Sequence, residues 1–204
     1  MFCKNLGLLV LLALPFLPDG WAAEMDMARL KVDDQISKKS SNHEGSINDK
    51  RQEIGGHLTL LDTGSSLQKP LGAFRWKTFL FGKPCGREKE QGEFLVFSSK
   101  EGEGELLLQS RLRMEVEPVS TVYDKVGSGN YGYEYFGYAV VVRSTTDEKA
   151  VLVKSDKKVL EKVLEKYEEL SGGELVDKNW KVVRKGVRPN LGIFTNDCLI
   201  SIFI

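Results

Sequence analysis

Hydrophobic and polar positions along this chain fall into three patterns. The first is a short unbroken run. Met1-Phe2-Cys3-Lys4-Asn5 carries one positive charge, and Leu6 to Leu17 follows, almost wholly apolar, with Pro15, Pro18, Asp19 and Gly20 breaking any helix there. Gly20, Ala22 and Ala23 then offer small residues to a signal peptidase, so the order is that of a cleavable secretory signal over 1–22. The run is too short to span a bilayer stably. Cleavage after Ala22 puts Gly20 at position −3, whereas cleavage after Ala23 would put bulky Trp21 there. An uncleaved anchor or a buried helix is the alternative. The expected location is secreted or periplasmic, with no membrane association after cleavage.

The second pattern is polar. Ser, Lys, Asp and Asn dominate from Asp33 to Arg51 without an aromatic residue, which predicts a flexible leader over 23–53. A short helix around Met25 to Ile36 would find little to pack on.

The third pattern begins near Ile54 and reads as strands: His57–Leu61, Ala73–Phe81, Glu93–Ser98, Glu105–Glu117, Tyr133–Arg143, Ala150–Lys154, Trp180–Arg184 and Ile193–Ile204. Leu112-Arg113-Met114-Glu115-Val116-Glu117 alternates strictly, as a half-buried antiparallel strand does. Gly102-Glu103-Gly104 suggests a tight hairpin turn from Phe94–Phe97 into Leu106–Val116. One helix, about 155–171, stands out. Ser155 is a good N-cap, Val159, Leu160, Val163, Leu164, Tyr167 and Leu170 form one stripe, and Gly172 and Gly173 stop it. The expected fold is α+β or mainly β: one domain over 54–204, built on a curved antiparallel sheet or partly closed barrel.

Removing the signal leaves about 182 residues, enough to bury roughly 70% of the unfolded surface. Lys plus Arg equals Asp plus Glu, 29 against 29. No net field draws the chain to nucleic acid or to an anionic membrane. Cys85 and Cys198 are either one disulfide, worth ~4 kcal/mol on the chain-entropy model, or two separate thiols. His43 and His57 lack metal-ligand spacing, so no metal or cofactor is expected.

Two segments could carry function. The first is Leu60-Leu61-Asp62-Thr63-Gly64-Ser65-Ser66. It resembles the active-site motif of aspartic peptidases of the pepsin and retroviral type: two apolar residues, Asp-Thr/Ser-Gly, then small hydroxyl residues. The resemblance implies Asp62 as a catalytic carboxylate, with Thr63, Gly64 and Ser65 orienting it. Two such carboxylates share one proton; one activates water while the other protonates the scissile carbonyl. The chain would then be a secreted endopeptidase acting on extracellular proteins or glycoproteins. Thr59, Gln68 and Lys69 depart from the family pattern, and no second Asp-Thr/Ser-Gly occurs. A homodimer must therefore bring two Asp62 together, or Asp177 or Asp197 must complete the pair. Leu191-Gly192-Ile193 is a poor match to the apolar pair and Gly that retroviral members carry near the C-terminus. Equally, Asp-Thr-Gly-Ser-Ser is a good turn sequence.

The second segment is Gly127 to Tyr138, in which four tyrosines interleave with glycines. Tyr131, Tyr133 and Tyr135 would share one strand face. They form either a binding surface for sugar or protein, in a non-catalytic domain, or a buried aromatic ladder.

Overall fold

A computed structural model describes residues 27–43, 48–65, 71–124, 131–146, 151–167 and 169–188. The expected signal, the expected strand Ile193–Ile204 and the candidate Asp197 lie outside these residues.

The fold is mainly β, one antiparallel sheet that does not close into a barrel. Its strands are β1 (Leu30–Asn42), β2 (Lys50–Asp62), β3 (Gly72–Pro84), β4 (Phe94–Leu106), β5 (Arg111–Asp124), β6 (Tyr131–Ser144), β7 (Val151–Ser155), β8 (Leu175–Val176) and β9 (Val182–Arg184), with one helix, α1 (Lys158–Tyr167). The lateral order is β1-β2-β5-β6-β3-β4-β8-β9, and off this path β7 is a third partner of β6.

The sheet folds over on itself at β6. There β5 pairs β6 only through Tyr123↔Gly132 and Asp124↔Tyr131, while farther along the same strand Ala139 to Arg143 pair β7. Side chains serve the β6 backbone between these two ladders. Thr121 Oγ1 donates to the Tyr133 carbonyl at 2.7 Å, the Tyr135 amide donates to Gln52 Oε1 at 3.0 Å, and the Tyr138 amide donates to Asp156 Oδ1 at 3.0 Å. A buried strand edge must find such partners, and these let one strand belong to two limbs.

The limbs enclose the main core. Ile54, Leu58, Leu60, Met114 and Val116 come from the β1-β2-β5 limb and meet Phe74, Trp76, Leu80, Leu95, Val140 and Val142. A second core lies on the outer side of the β6-β3-β4 limb, where Leu160 and Leu164 of α1, with Leu170 and Trp180, cover Phe79, Phe81, Val96 and Val141. Strand β3 is buried on both faces from Thr78 to Phe81.

Three expectations need correction. Residues 30–42, read as part of a flexible leader, form β1, paired with β2 from Leu30↔Asp62 to Asn42↔Lys50. Leu30 is buried, and Val32 and Ile36 pack against the core at a period of two. The other positions are polar and exposed or half-exposed, so the composition is that of a loop while the spacing is that of a strand. Gly55-Gly56 lie inside β2. Gly56 has φ +143°, and a Cβ there would sit 2.1 Å from the Gln35 carbonyl oxygen.

Gly102-Glu103-Gly104 is not a turn either. Strand β4 runs straight through it, and the reversal into β5 falls at Leu107 to Ser110. A Cβ on Gly102 would lie 2.2 Å from Trp76 Cζ2, and one on Gly104 would lie 2.4 Å from Leu112 Cδ1. These glycines make room for large inward side chains. The helix, expected over 155–171, begins at Lys158. Ser155 ends β7 instead, its hydroxyl accepting from the Lys157 amide at 3.0 Å and donating to the Tyr138 carbonyl.

Candidate functional site

Asp62 ends β2 and is buried. Its carboxylate accepts the Gly64 amide at 2.8 Å, a tight turn of the kind Asp favours. It also takes both arms of Arg29: Nε stands 2.9 Å from Oδ1, and Nη2 donates to Oδ2 at 2.9 Å. Thr63 completes the knot, because its amide and hydroxyl both donate to the Arg29 carbonyl, at 3.0 and 2.6 Å. Gly64 is buried behind the pair, and its carbonyl lies 3.5 Å from Gln109 Nε2. Ser65 is exposed.

The arrangement ties the short 3-10 turn Met27–Arg29 to the end of β2. A catalytic carboxylate pair needs a second carboxyl within hydrogen-bonding distance. Among the described residues, the groups bonded to the Asp62 carboxylate are the Arg29 guanidinium and the Gly64 amide. The Asp62 side chain is fully enclosed and its cation is 9% exposed, so meeting a second Asp62 across a two-fold would require dismantling the knot. Asp177 is occupied elsewhere: its carboxylate accepts the Asn179 and Lys181 amides, at 2.8 and 2.9 Å, and shapes the β8–β9 turn.

The tyrosines of β6 do not form an exposed row. Tyr133 is buried, and Tyr131 and Tyr135 are half-buried. The β3–β6 register shifts between Phe81 and Gly82, which brings Tyr138 into the same core as Tyr133 and Tyr135. Burial pushes the Tyr133 phenol up to about 12, with the Glu88 charge adding to it and Arg184 opposing. Tyr131 also rises to about 12, by burial and then by its hydrogen bond to Asp49. Tyr135 and Tyr138 are pushed up farther, chiefly by burial, and Tyr138 hydrogen-bonds Asp34. These are aromatic wedges at the fold of the sheet.

Open concavity lies elsewhere. On the outer face of the β6-β3-β4 limb a groove of about 500 Å³ is lined by Arg75, Lys77, Glu101, Glu103, Arg143 and Glu169, over a floor that includes Val141. The register explains the charge pattern. Arg75 stands between Glu103 and Arg143, and Lys77 between Glu101 and Val141. Lys77 Nζ lies 2.6 Å from Glu101 Oε1. Trp76 and Gly102 also line it, but the indole is packed into the main core over Gly102 and is only 8% exposed, so the groove offers alternating charge with little open ring face.

Two features were missed in the sequence. Nothing marks Arg29 as the partner of Asp62, since the two are 33 positions apart. The charged rows were legible in part, because Glu101, Glu103 and Glu105 alternate with the glycines, but the cations facing them come from other strands. Cys85 is buried and Cys198 lies outside the described residues, so no disulfide joins described residues. Among the described residues no three potential metal ligands stand together, and no helix is long and apolar enough to cross a membrane. The chain matches no protein-family model and no curated protein sequence.

Proposed function

We propose that this chain is an exported, non-catalytic binding domain that engages protein ligands through the groove on the outer face of the β6-β3-β4 limb. One observation carries the reading. This concavity is walled by parallel rows of opposite charge, Glu101 and Glu103 beside Lys77, Arg75 and Arg143. Extended polypeptide bearing both signs matches such rows, since complementary charge sets register and selects partners. Sugar stacking would require an exposed ring face, and Trp76 is turned inward. Export rests on the signal-like first 22 residues. The peptidase reading rests on the Asp62 motif, and the Arg29–Asp62 pair gives that motif a structural task.

Panning a displayed peptide library against the protein tests the proposal. Peptides of mixed charge are expected to bind, with at least roughly tenfold weaker binding to Arg75→Ala/Arg143→Ala. Binding unchanged by that double substitution overturns the groove as the site. A parallel assay of unfolded-protein cleavage from about pH 3 to 7, the range in which a carboxylate pair holds one proton, should show none. Cleavage that disappears in Asp62→Asn would restore the peptidase.

A further inference from the structure

Strand β1 forms one margin of the sheet. Among the described residues it pairs with β2 alone, over all 13 of its residues and without a register shift. Every second residue of its other edge presents backbone amide and carbonyl groups outward. It contains no proline and no bulge. Long, regular edges of this kind accept another strand unless something repels it, and Lys38 and Lys39 look at first like such a guard.

Their placement argues otherwise. Suppose a second β1 joins antiparallel about a two-fold axis perpendicular to the sheet. Facing side chains then lie on the same side only if their numbers sum to an even value. Centring the axis on Ile36 sets Ile36 against Ile36, Gln35 against Ser37, Asp34 against Lys38 and Asp33 against Lys39. Both acids of one strand then meet both bases of the other, and symmetry doubles the set. Asp34 and Lys38 pair on the inner face with Val32 and Ile36, while Asp33 and Lys39 pair on the outer face.

Neighbouring registers fail. Centring on Gln35 opposes Lys31 to Lys39 and Asp34 to Ile36. Centring on Ser37 leaves both acids against serines, Ser41 and Ser40. Opposite charges directly across a sheet stabilise, and like charges destabilise. The charge order Asp-Asp-x-x-x-Lys-Lys is therefore self-complementary in one register.

Competing contacts do not remove the acids. Asp33 is held by Lys31 of its own strand, at 2.8 Å, but both ends of that pair are well exposed. Asp34 accepts a hydrogen bond from Tyr138, and a carboxylate retains further acceptor sites.

We infer that β1 is a homodimerisation edge, joining two copies of this chain into one continuous sheet across the Ile36 position. The groove lies on the other limb, so the two assignments stand or fall separately.

Sedimentation velocity of the purified protein over a concentration series tests this. Wild type is expected to dimerise, and Lys38→Glu/Lys39→Glu to weaken the dimer at least roughly tenfold, because four cross-strand attractions become repulsions. Adding Asp33→Lys/Asp34→Lys to the same chain restores complementarity and should restore the dimer. Mixing the two double variants should give a heterodimer from two monomers. Hydrogen exchange on wild type provides a reading independent of any substitution: outward amides of Leu30–Asn42 become protected as concentration rises. The inference is overturned by a wild type that stays monomeric to about 100 μM, by a Lys38→Glu/Lys39→Glu dimer as tight as wild type, or by β1 exchange that ignores concentration.

Discussion

Asp62 and Glu174 secure opposite ends of the sheet order, and they are built from the same parts. Each carboxylate accepts a nearby backbone amide, Gly64 for Asp62 and Ser171 for Glu174, at 2.8 and 3.0 Å. Each meets one cation, Arg29 or Lys185, at 2.9 Å. What differs is the environment of the cation. The Arg29 side chain is 9% exposed, whereas Lys185 is 77% exposed. A buried guanidinium gripping both carboxylate oxygens has no water to fall back on, while an exposed ammonium trades its partner for solvent with little change. The comparison also separates appearance from role. Asp62 lies in a motif that resembles a catalytic one, yet it is the more deeply structural of the two.

The largest expected effect breaks the buried knot. Asp62→Ala should lower the unfolding free energy by about 3 kcal/mol, because it removes the buried carboxylate that the enclosed Arg29 guanidinium grips. Chemical denaturation measures it, and a loss comparable to that of Glu174→Gln would erase the distinction drawn between the two sites.

A smaller effect is expected at Glu174, and its sign with pH is definite. Burial alone would raise this carboxyl. The hydrogen bonds from Lys185 and Ser171, with the charges of Lys185 and Lys77, outweigh burial and hold it below its ordinary value of 4.5. A lowered carboxyl contributes stability above its unfolded-state pKa and loses it as pH falls through the folded value. Glu174→Gln should therefore lower stability by about 1 kcal/mol or less near pH 7. The gap should close as the solution is acidified below 4.5. Paired unfolding curves from neutral to acid decide this; a gap that widens in acid reverses the assignment.

The smallest effect sharpens the contrast through salt. At about 1 M ionic strength the screening length falls to about 3 Å. The Glu174→Gln difference should shrink, with its cation in solvent, while the Asp62→Ala difference should hold. Denaturation in urea at low and high sodium chloride reads both.

Much of the fold was legible because burial leaves a period. Leu112, Met114 and Val116 alternate with charges, and the inner face of β5 lies where that alternation puts it. Leu160 and Leu164 point into a core as helical spacing requires. Strand β1 escaped notice because an edge strand with one wet face has the composition of a loop, and only Leu30, Val32 and Ile36 carry its period. The glycines of β4 misled for a related reason. Glycine marks either a turn or a close approach, and which one applies depends on whether a Trp76 or a Leu112 from another strand lies against it.

The chemistry was less legible than the fold. A turn sequence and a catalytic loop both call for Asp, Gly and small hydroxyl residues, because both need a carboxylate held by local backbone. The choice between them rests on what faces the carboxylate, and that residue arrives from another part of the chain. By itself the sequence determined the strand-rich class and the approximate position of the single described helix, since those follow from local pattern. Tertiary structure alone decided that Asp62 meets a guanidinium, that the tyrosines turn inward at the fold of the sheet, and that the outer-face charges line a groove. These are pairings between distant segments, and strand order, not local sequence, sets which distant side chains share a face.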